Sequence, residues 1–463
     1  MRLARAGQFR KLSVGCHPTW RMTHPDRRWL WLVSGIILAF LVRGSIVLAK
    51  LDSLDADPDA YRVIAETLAQ TGTFGLMGNS EVATPTAFRP PLYPWLLSFF
   101  VDADGSLASG WVAMLHVCLG VLTIVLTWDV ARRWWSERVA WIAAALVTID
   151  PMLLWQSTLV MTETIATALT VMVWWWWVAR MNPNPAVVTL DDGDLINSCD
   201  RSPSRPIIDA VVFGGLLSLT VLCRPTFLVW AAMLIPALFF IGPSCRTRRL
   251  ARVGVVGLIL VATVGLWTLR NVSQLGHPIW ATTHGGYTLL LANNDSFYDS
   301  LDKSSIEWKP WERTPWDPTE FFAEYEARER GFDEVSDDRV AYEMAKSTIS
   351  NRPAMFAWSC IARATSLWHP FPARTPDRSM MVVLVIGLYQ TGLLWMAVLG
   401  IAKHWRLWWH PNAWPAFALV ITLTAVHSVY WSNPRMRSPV IPMLAVAVAC
   451  GMVPRQADQT KPT

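Results

Sequence analysis

Charge is what this chain has least of. Asp, Glu, Lys and Arg make up 16% of its 463 residues while hydrophobic residues make up 53%, against roughly 25% charged in an ordinary soluble domain. That excludes a conventional soluble protein and implies a polytopic membrane protein. An excess of one sign is missing too, because 40 basic against 35 acidic residues leave a formal charge of only +5, with no global nucleic-acid footprint. The cysteines Cys16, Cys118, Cys199, Cys223, Cys245, Cys360 and Cys450 form no CxxC pair, so neither a zinc knuckle nor a disulfide framework is supported. There is no P-loop and no GxGxxG, which argues against an ATP-driven pump or a dinucleotide enzyme. Nor is there an internal repeat, which weakens an inverted-repeat transporter.

What is present is a series of apolar runs. A helix crossing the bilayer core needs roughly 20 apolar residues, and candidates lie near 29–49, 108–128, 139–155, 158–179, 207–223, 226–242, 253–269, 379–402, 412–431 and 438–454. The fold class expected is therefore an all-α polytopic membrane protein of about ten transmembrane helices. Asp150-Pro151 and Arg224-Pro225 mark two tight hairpins, each Pro being a natural place for a helix to end.

Lys and Arg orient the bundle. With the N-terminus inside, the short outer segments hold only Lys50, Arg62, Arg89, Arg224, Arg435 and Arg437, and every other Lys or Arg of the short loops and termini falls inside. This predicts a cell-membrane protein with both termini cytoplasmic, comprising a basic N-terminus 1–28, seven spans over 29–269, an outer segment 270–378, three spans over 379–454 and a tail 455–463. The start is open between Met1 and Met22. The runs Trp174 to Trp177, Trp134-Trp135 and Trp408-Trp409 fall at the cytoplasmic ends and read as an interfacial aromatic belt. Span 29–49 reads as an uncleaved anchor, and 181–206, rich in Pro, Asn, Asp and Ser, as an inner loop.

Two segments lie outside the bundle on the outer side. In 50–107, Tyr61, Ile64, Ala65 and Leu68 share one helical face and predict an amphipathic helix lying on the membrane. In 270–378, the stretch "TEFFAEYEARERGFDEVSDDRVAYEMAKSTIS" predicts a small helical cap.

Ionisable groups at membrane depth are costly and tend to mark function. Arg43, Asp150, Glu163, Arg224, Arg270, His427, Arg435 and Arg437 all fall toward the outer side, beside Asp52, Asp55, Asp57 and Asp59, whereas Asp209 falls inside. Singly each could be a snorkelling or helix-end residue. Together they suggest one outward cavity in which a carboxylate serves as general base and two arginines, Arg435 and Arg437, grip a lipid phosphate.

The chain at these residues resembles the GT-C class of membrane glycosyltransferases, specifically the relatives of dolichyl-phosphate-mannose:protein mannosyltransferases and bacterial aminoarabinose and lipopolysaccharide-core transferases. The matching pieces are "DPDAYRVIAETL", "PTAFRPPLYP", "TIDP", "MTET", "LCRPT", "WTLRNVSQLGHPIWATTHGGYTLLLANN" and "HSVYWSNPRMRSPVIP". Each is short and degenerate, and their order and placement are the more specific signal. The resemblance implies transfer of a sugar from a polyprenyl-phosphate donor to a hydroxyl acceptor on the outer face (periplasmic in a bacterium), with inversion and with no nucleotide or nucleic acid. The acceptor is open between protein, lipid and polysaccharide.

The family's catalytic Asp precedes a Tyr by four residues, and Asp57 stands four before Tyr61, with Asp59 second. Where several relatives carry an adjacent Glu, this chain has Pro58, which leaves open both the base and any dependence on a divalent cation, Mg²⁺ or Mn²⁺. Arg435 and Arg437 match the family's donor-phosphate site without its intervening Tyr, and Arg89, Glu163, Arg224 and Arg270 are secondary substrate contacts. Asp57 could equally cap the following helix, Arg435 and Arg437 could be anchors, and His277 with His284 makes only a weak metal motif. Gly285 and Gly286 read as a tight turn. A lipid-linked-sugar transporter or flippase and a non-catalytic relative remain the alternatives.

Overall fold

A computed structural model describes residues 26–77, 82–181, 206–241, 246–305, 333–372 and 379–453, with 316, 321, 323 and 325 besides. Most of segment 1–28, loop 181–206, the tail 455–463 and much of "TEFFAEYEARERGF" lie outside the described residues.

Helices occupy all ten expected spans. They are α1 (Asp26–Leu48), α4 (Ser109–Trp134), α5 (Glu137–Ile149), α7 (Glu163–Trp176), α8 (Pro206–Cys223), α9 (Phe227–Phe240), α10 (Arg246–Leu275), α15 (Met380–Lys403), α16 (Trp414–Val429) and α17 (Ile441–Met452). Five helical stretches among the described residues are long and apolar enough to cross a membrane: Trp29–Leu48, Ser109–Trp134, Arg246–Leu275, Met380–Lys403 and Pro411–Val429. The architecture is thus the all-α polytopic membrane bundle expected.

Local chemistry sets the breaks. Expected span 139–155 divides at Asp150-Pro151: α5 ends at Ile149, and the Asp150 carboxylate accepts the Leu153 N–H at 2.9 Å to cap a short α6 (Pro151–Gln156). Pro151 at the first helical position loses nothing, since its missing N–H would have no intrahelical partner. The second hairpin likewise ends α8 at Cys223 and restarts at Phe227. At the crossing of α15 and α17, a Cβ on Gly400 would lie 2.0 Å from the Ala447 carbonyl oxygen. Only glycine permits that approach, the device that membrane helices use where burial from water gives no drive.

Two expectations are corrected. Helix α2 (Tyr61–Thr71) turns Tyr61, Ile64, Ala65 and Thr67 into the protein and packs on α3 (Leu92–Ser98), so its apolar face is covered by protein rather than laid on lipid. The tryptophan run is more than a belt. Trp174 and Trp177 are fully buried, and their indole N–H groups hold the carbonyls of Asn412 and Pro411 at 2.9 and 3.0 Å. Trp176 holds Asp209 O at 3.0 Å, whereas Trp409 is exposed. A buried indole usually finds an acceptor for its N–H, and the Asn412 and Pro411 carbonyls lie just before α16, so Trp174 and Trp177 fasten one helix end to another.

At the other end of the bundle, the first long loop carries α2, α3 and a hairpin of β1 (Gly75–Met77) and β2 (Ala83–Pro85), paired antiparallel. Above it, residues beyond α10 form α11 (Gly285–Ala292), α12 (Asp295–Ser305), α13 (Glu334–Asn351) and α14 (Pro353–Trp368). The two layers are stapled together. Glu334 accepts the Ala87 N–H at 2.8 Å and the Thr86 hydroxyl, and Thr283 N–H reaches Ala87 O at 3.0 Å.

Candidate active site

The loop end gathers charges from five parts of the chain. A turn of 3-10 helix, Leu51–Leu54, leads into the approach to α2, and Ala60 just before that helix has φ 58°. A non-glycine residue there is strained by about 1–2 kcal/mol. The strained turn brings the Asp57 carboxylate back over the helix start, where Oδ2 accepts Val63 N–H at 3.0 Å. The other oxygen, Oδ1, is buried with no hydrogen-bond partner. The capping role and an unengaged carboxylate oxygen therefore coexist in one side chain.

Asp59 differs. Its Oδ1 pairs with Arg89 Nη2 at 2.7 Å, and Arg89 Nε donates to the Asp59 carbonyl at 2.6 Å. Arg89 also lies over Tyr61, 5.5 Å from the ring centroid.

A second cluster forms at the start of α7. Glu163 is 1% exposed and faces Arg224 Nη2 at 2.9 Å and Arg435 Nε at 3.5 Å. These contacts satisfy charge, but their angles leave both Glu163 oxygens without a directed hydrogen bond. Arg224 is positioned by Thr162, whose hydroxyl accepts from Nε at 2.6 Å. Arg435 keeps Nη1 against the Met161 sulfur, and its Nη2 has no hydrogen bond among the described residues.

Two tyrosines bridge the clusters. Burial pushes the Tyr61 hydroxyl up to about 12, and it feels Arg89 and Asp59 on one side and Arg224 and Glu163 on the other. The Tyr93 ring meets Tyr61 edge-on at 5.3 Å. Its hydroxyl is raised well above the ordinary value, by burial first and then by the charges of Tyr61, Glu163, Cys223 and Asp57. Tyr93 Oη lies 2.7 Å from His116 Nε2, and His116 Nδ1 lies 2.9 Å from Ser157 O. A carbonyl only accepts, so the imidazole proton sits on Nδ1 and the Tyr93 hydroxyl donates to Nε2.

The remaining candidates are engaged elsewhere. Arg437 is fully buried and donates to Leu367 O and His369 O, both at 2.6 Å, and to Gln390 Oε1 at 3.3 Å. Gln390 in turn donates to Asp150 at 2.9 Å. Arg270 holds the hairpin through Phe74 O at 2.5 Å and Thr86 O at 2.7 Å. Asp57, Asp59, Arg89, Glu163 and Arg224 thus act on Tyr61 or Tyr93, with Arg435 beside Glu163, while Arg437 and Arg270 brace the walls.

No group of three or more His, Cys, Asp or Glu among the described residues is gathered for a metal ion. Asp59 is paired with Arg89, while Asp57 has one oxygen on a backbone N–H and the other without a partner. Tyr93 lay unremarked within the "PTAFRPPLYP" piece, and Tyr61 was read as part of an apolar helix face and as a spacing marker, not as a site residue. Glu334 and Gln390 carried no local signal, because their partners are distant in sequence.

The site is a two-signed charge cluster in an apolar bundle under a helical cap, and the fold that carries it is similar to that of a solved membrane oligosaccharyltransferase. Residues 88–185 match the family described as dolichyl-phosphate-mannose-protein mannosyltransferase. Among solved structures, the chain is similar to the apo oligosaccharyltransferase of Archaeoglobus fulgidus, with TM-score 0.50, 16% identity and coverage of 92% of this chain and 50% of that one. The A. fulgidus oligosaccharyltransferase AglB with an inhibitory peptide and a dolichol-phosphate gives TM-score 0.49, 15% identity and coverage of 92% and 50%. ArnT from Cupriavidus metallidurans bound to undecaprenyl phosphate gives 0.40, 14%, and 91% and 77%. The chain spans about half the length of the oligosaccharyltransferase. No curated protein matches the sequence.

Proposed function

We propose that the protein is a membrane glycosyltransferase that moves a sugar from a polyprenyl-phosphate carrier to a hydroxyl acceptor on the outer face of the membrane, by a single inverting displacement. The observation that carries this reading is the Asp57 carboxylate. One oxygen is fixed by Val63 N–H and the other is buried and unpartnered, beside Tyr93, which feels both Asp57 and Glu163. A fixed carboxylate with a free lone pair is what a general base needs.

In the proposed step the acceptor hydroxyl gives its proton to Asp57 Oδ1 as its oxygen bonds to the anomeric carbon. The bond from that carbon to the phosphate oxygen breaks on the opposite face. Arg435 and Arg224 receive the charge that grows on the departing polyprenyl phosphate, with Arg435 Nη2 open to it and Glu163 holding both guanidiniums in place. Arg437, occupied by three acceptors of its own, supports this loop from behind. A polyprenyl-phosphate-linked sugar arrives through the bilayer, so carrier and leaving group are the same lipid. The sequence pattern supports the outer face, since the charges gather where Lys and Arg in the short loops are fewest.

Sugar release from a radiolabelled polyprenyl-phosphate mannose, by purified protein in lipid nanodiscs, tests the reading. Release that depends on Asp57 and Arg435 sustains it. Tight binding of the lipid with no release by the unmodified protein across protein, lipid and polysaccharide acceptors, together with movement of lipid across a vesicle bilayer, refutes it in favour of a transporter.

A further inference from the structure

The proposed step leaves unused the segment His284-Gly285-Gly286-Tyr287 at the start of α11. Its glycines are required by close packing: a Cβ on Gly285 would lie 2.1 Å from the Tyr342 hydroxyl, and one on Gly286 would lie 2.0 Å from the Asp338 carbonyl oxygen. Gly286 N–H donates to the Asp338 carboxylate at 2.6 Å. The helix start is thereby locked against α13, and His284 immediately before it is held in place.

The His284 ring stacks on Tyr287, with centroids 4.8 Å apart and 22° between planes, and meets Phe88 edge-on at 4.7 Å. The Arg89 guanidinium lies 4.5 Å from the Phe88 centroid. Tyr287, His284, Phe88, Arg89 and Tyr61 therefore form one continuous strip running to the Asp57 side of the site. Burial, and then the positive charge of Arg89, push His284 down to about 3, so the ring is neutral at neutral pH. Neither ring nitrogen has a hydrogen bond among the described residues.

A neutral imidazole with both nitrogens unengaged offers one donor and one acceptor. That pair matches neighbouring hydroxyl groups, each of which can donate and accept. Phosphate, an acceptor that favours cations and multiple donors, is served by the arginines instead. The flanking aromatic rings suit the C–H faces of a sugar. We infer that His284, framed by Phe88 and Tyr287, contacts the hydroxyls of a carbohydrate ring and sets which sugar is accepted. This rests on the transferase reading, and the hydroxyls could belong to the donor's sugar or to a carbohydrate acceptor.

The test compares H284F, which keeps the ring stack and deletes both nitrogens, with H284Q, which restores a donor and an acceptor. Binding of polyprenyl-phosphate mannose and of bare polyprenyl phosphate of equal chain length is followed by tryptophan fluorescence in nanodiscs, and thermal unfolding verifies that each variant is folded. The expected result is that H284F lowers the preference for the sugar-bearing lipid by about tenfold while bare-lipid binding is unchanged, and that H284Q recovers part of it. If the preference persists in H284F but the KM for a carbohydrate acceptor rises in the transfer assay, the contact is to the acceptor, and the inference stands with that source. If folded H284F alters neither the preference nor either KM, the inference fails while the transferase reading survives. If the unmodified protein binds both lipids equally and releases no sugar, both fall.

Discussion

Replacing Asp57 separates its two roles, because each of its oxygens has a different task. In D57N the amide oxygen still accepts Val63 N–H, and Asn caps helices about as well as Asp. The loss of a negative charge near the start of α2 costs a few tenths of a kcal/mol. In D57A the Val63 N–H loses its 3.0 Å partner, at a cost of about 1 kcal/mol. Neither variant offers a lone pair to an acceptor proton. Loss of a general base lowers the rate by about 10²–10⁴-fold, equivalent to about 3–5 kcal/mol of barrier. The two variants should therefore be almost equally inactive in single-turnover sugar transfer, while only D57A unfolds at a lower temperature in detergent. Donor binding, which depends on the arginines, should persist in both. D57N retaining more than about a tenth of the transfer rate would refute the assignment of the base and reduce Asp57 to a cap.

Replacing Ala60, with its φ of 58°, by glycine should relieve left-handed strain and raise stability by about 0.5–1 kcal/mol, read as a higher unfolding temperature; a lower one would mean that the turn is not strained. The arginines two residues apart should behave oppositely. R437A orphans the Leu367 and His369 carbonyls and Gln390 and should destabilise by about 3–5 kcal/mol, whereas R435A should cost about 1 kcal/mol and instead weaken binding of bare polyprenyl phosphate. Equal destabilisation by the two would contradict their different burial. Finally, His284 is pushed down to about 3 in the folded protein, while an unfolded His titrates near 6.5. Below that pH the unfolded chain takes up a proton that the folded site refuses, so this residue lowers stability progressively from about pH 6.5 toward 3 and has no effect above. H284Q should flatten the decline of urea-unfolding stability between pH 6.5 and 4; an unchanged slope would show that the ring is not kept neutral.

The helical architecture can be read from the residues alone. Apolar runs are local and additive, so the ten apolar helical segments, the breaks at Asp150-Pro151 and Arg224-Pro225, and the crowding of charge toward one end were all legible one segment at a time. The sequence also put Glu163 forward, because a carboxylate within an apolar run is conspicuous wherever it points, whereas Asp57 was set apart from its acidic neighbours by the family resemblance, through its spacing to Tyr61.

Which of those charges are open to a ligand is set by the folded bundle. Two arginines separated by a single Met read alike in sequence, yet the 3-10 turn of Pro434–Val440 sends Arg435 toward Glu163 and Arg437 into the bundle among backbone carbonyls. The same holds for Asp57 and Asp59, one with a free oxygen and the other paired with Arg89 from thirty residues on. The face of α2, the indoles that clasp the start of α16, and the strip from Tyr287 to Tyr61 depend on partners tens to hundreds of residues away. A side chain's type is written in the chain, but whether its hydrogen-bonding capacity is left over for a substrate depends on every neighbour that reaches it first, and those neighbours meet only when the bundle closes.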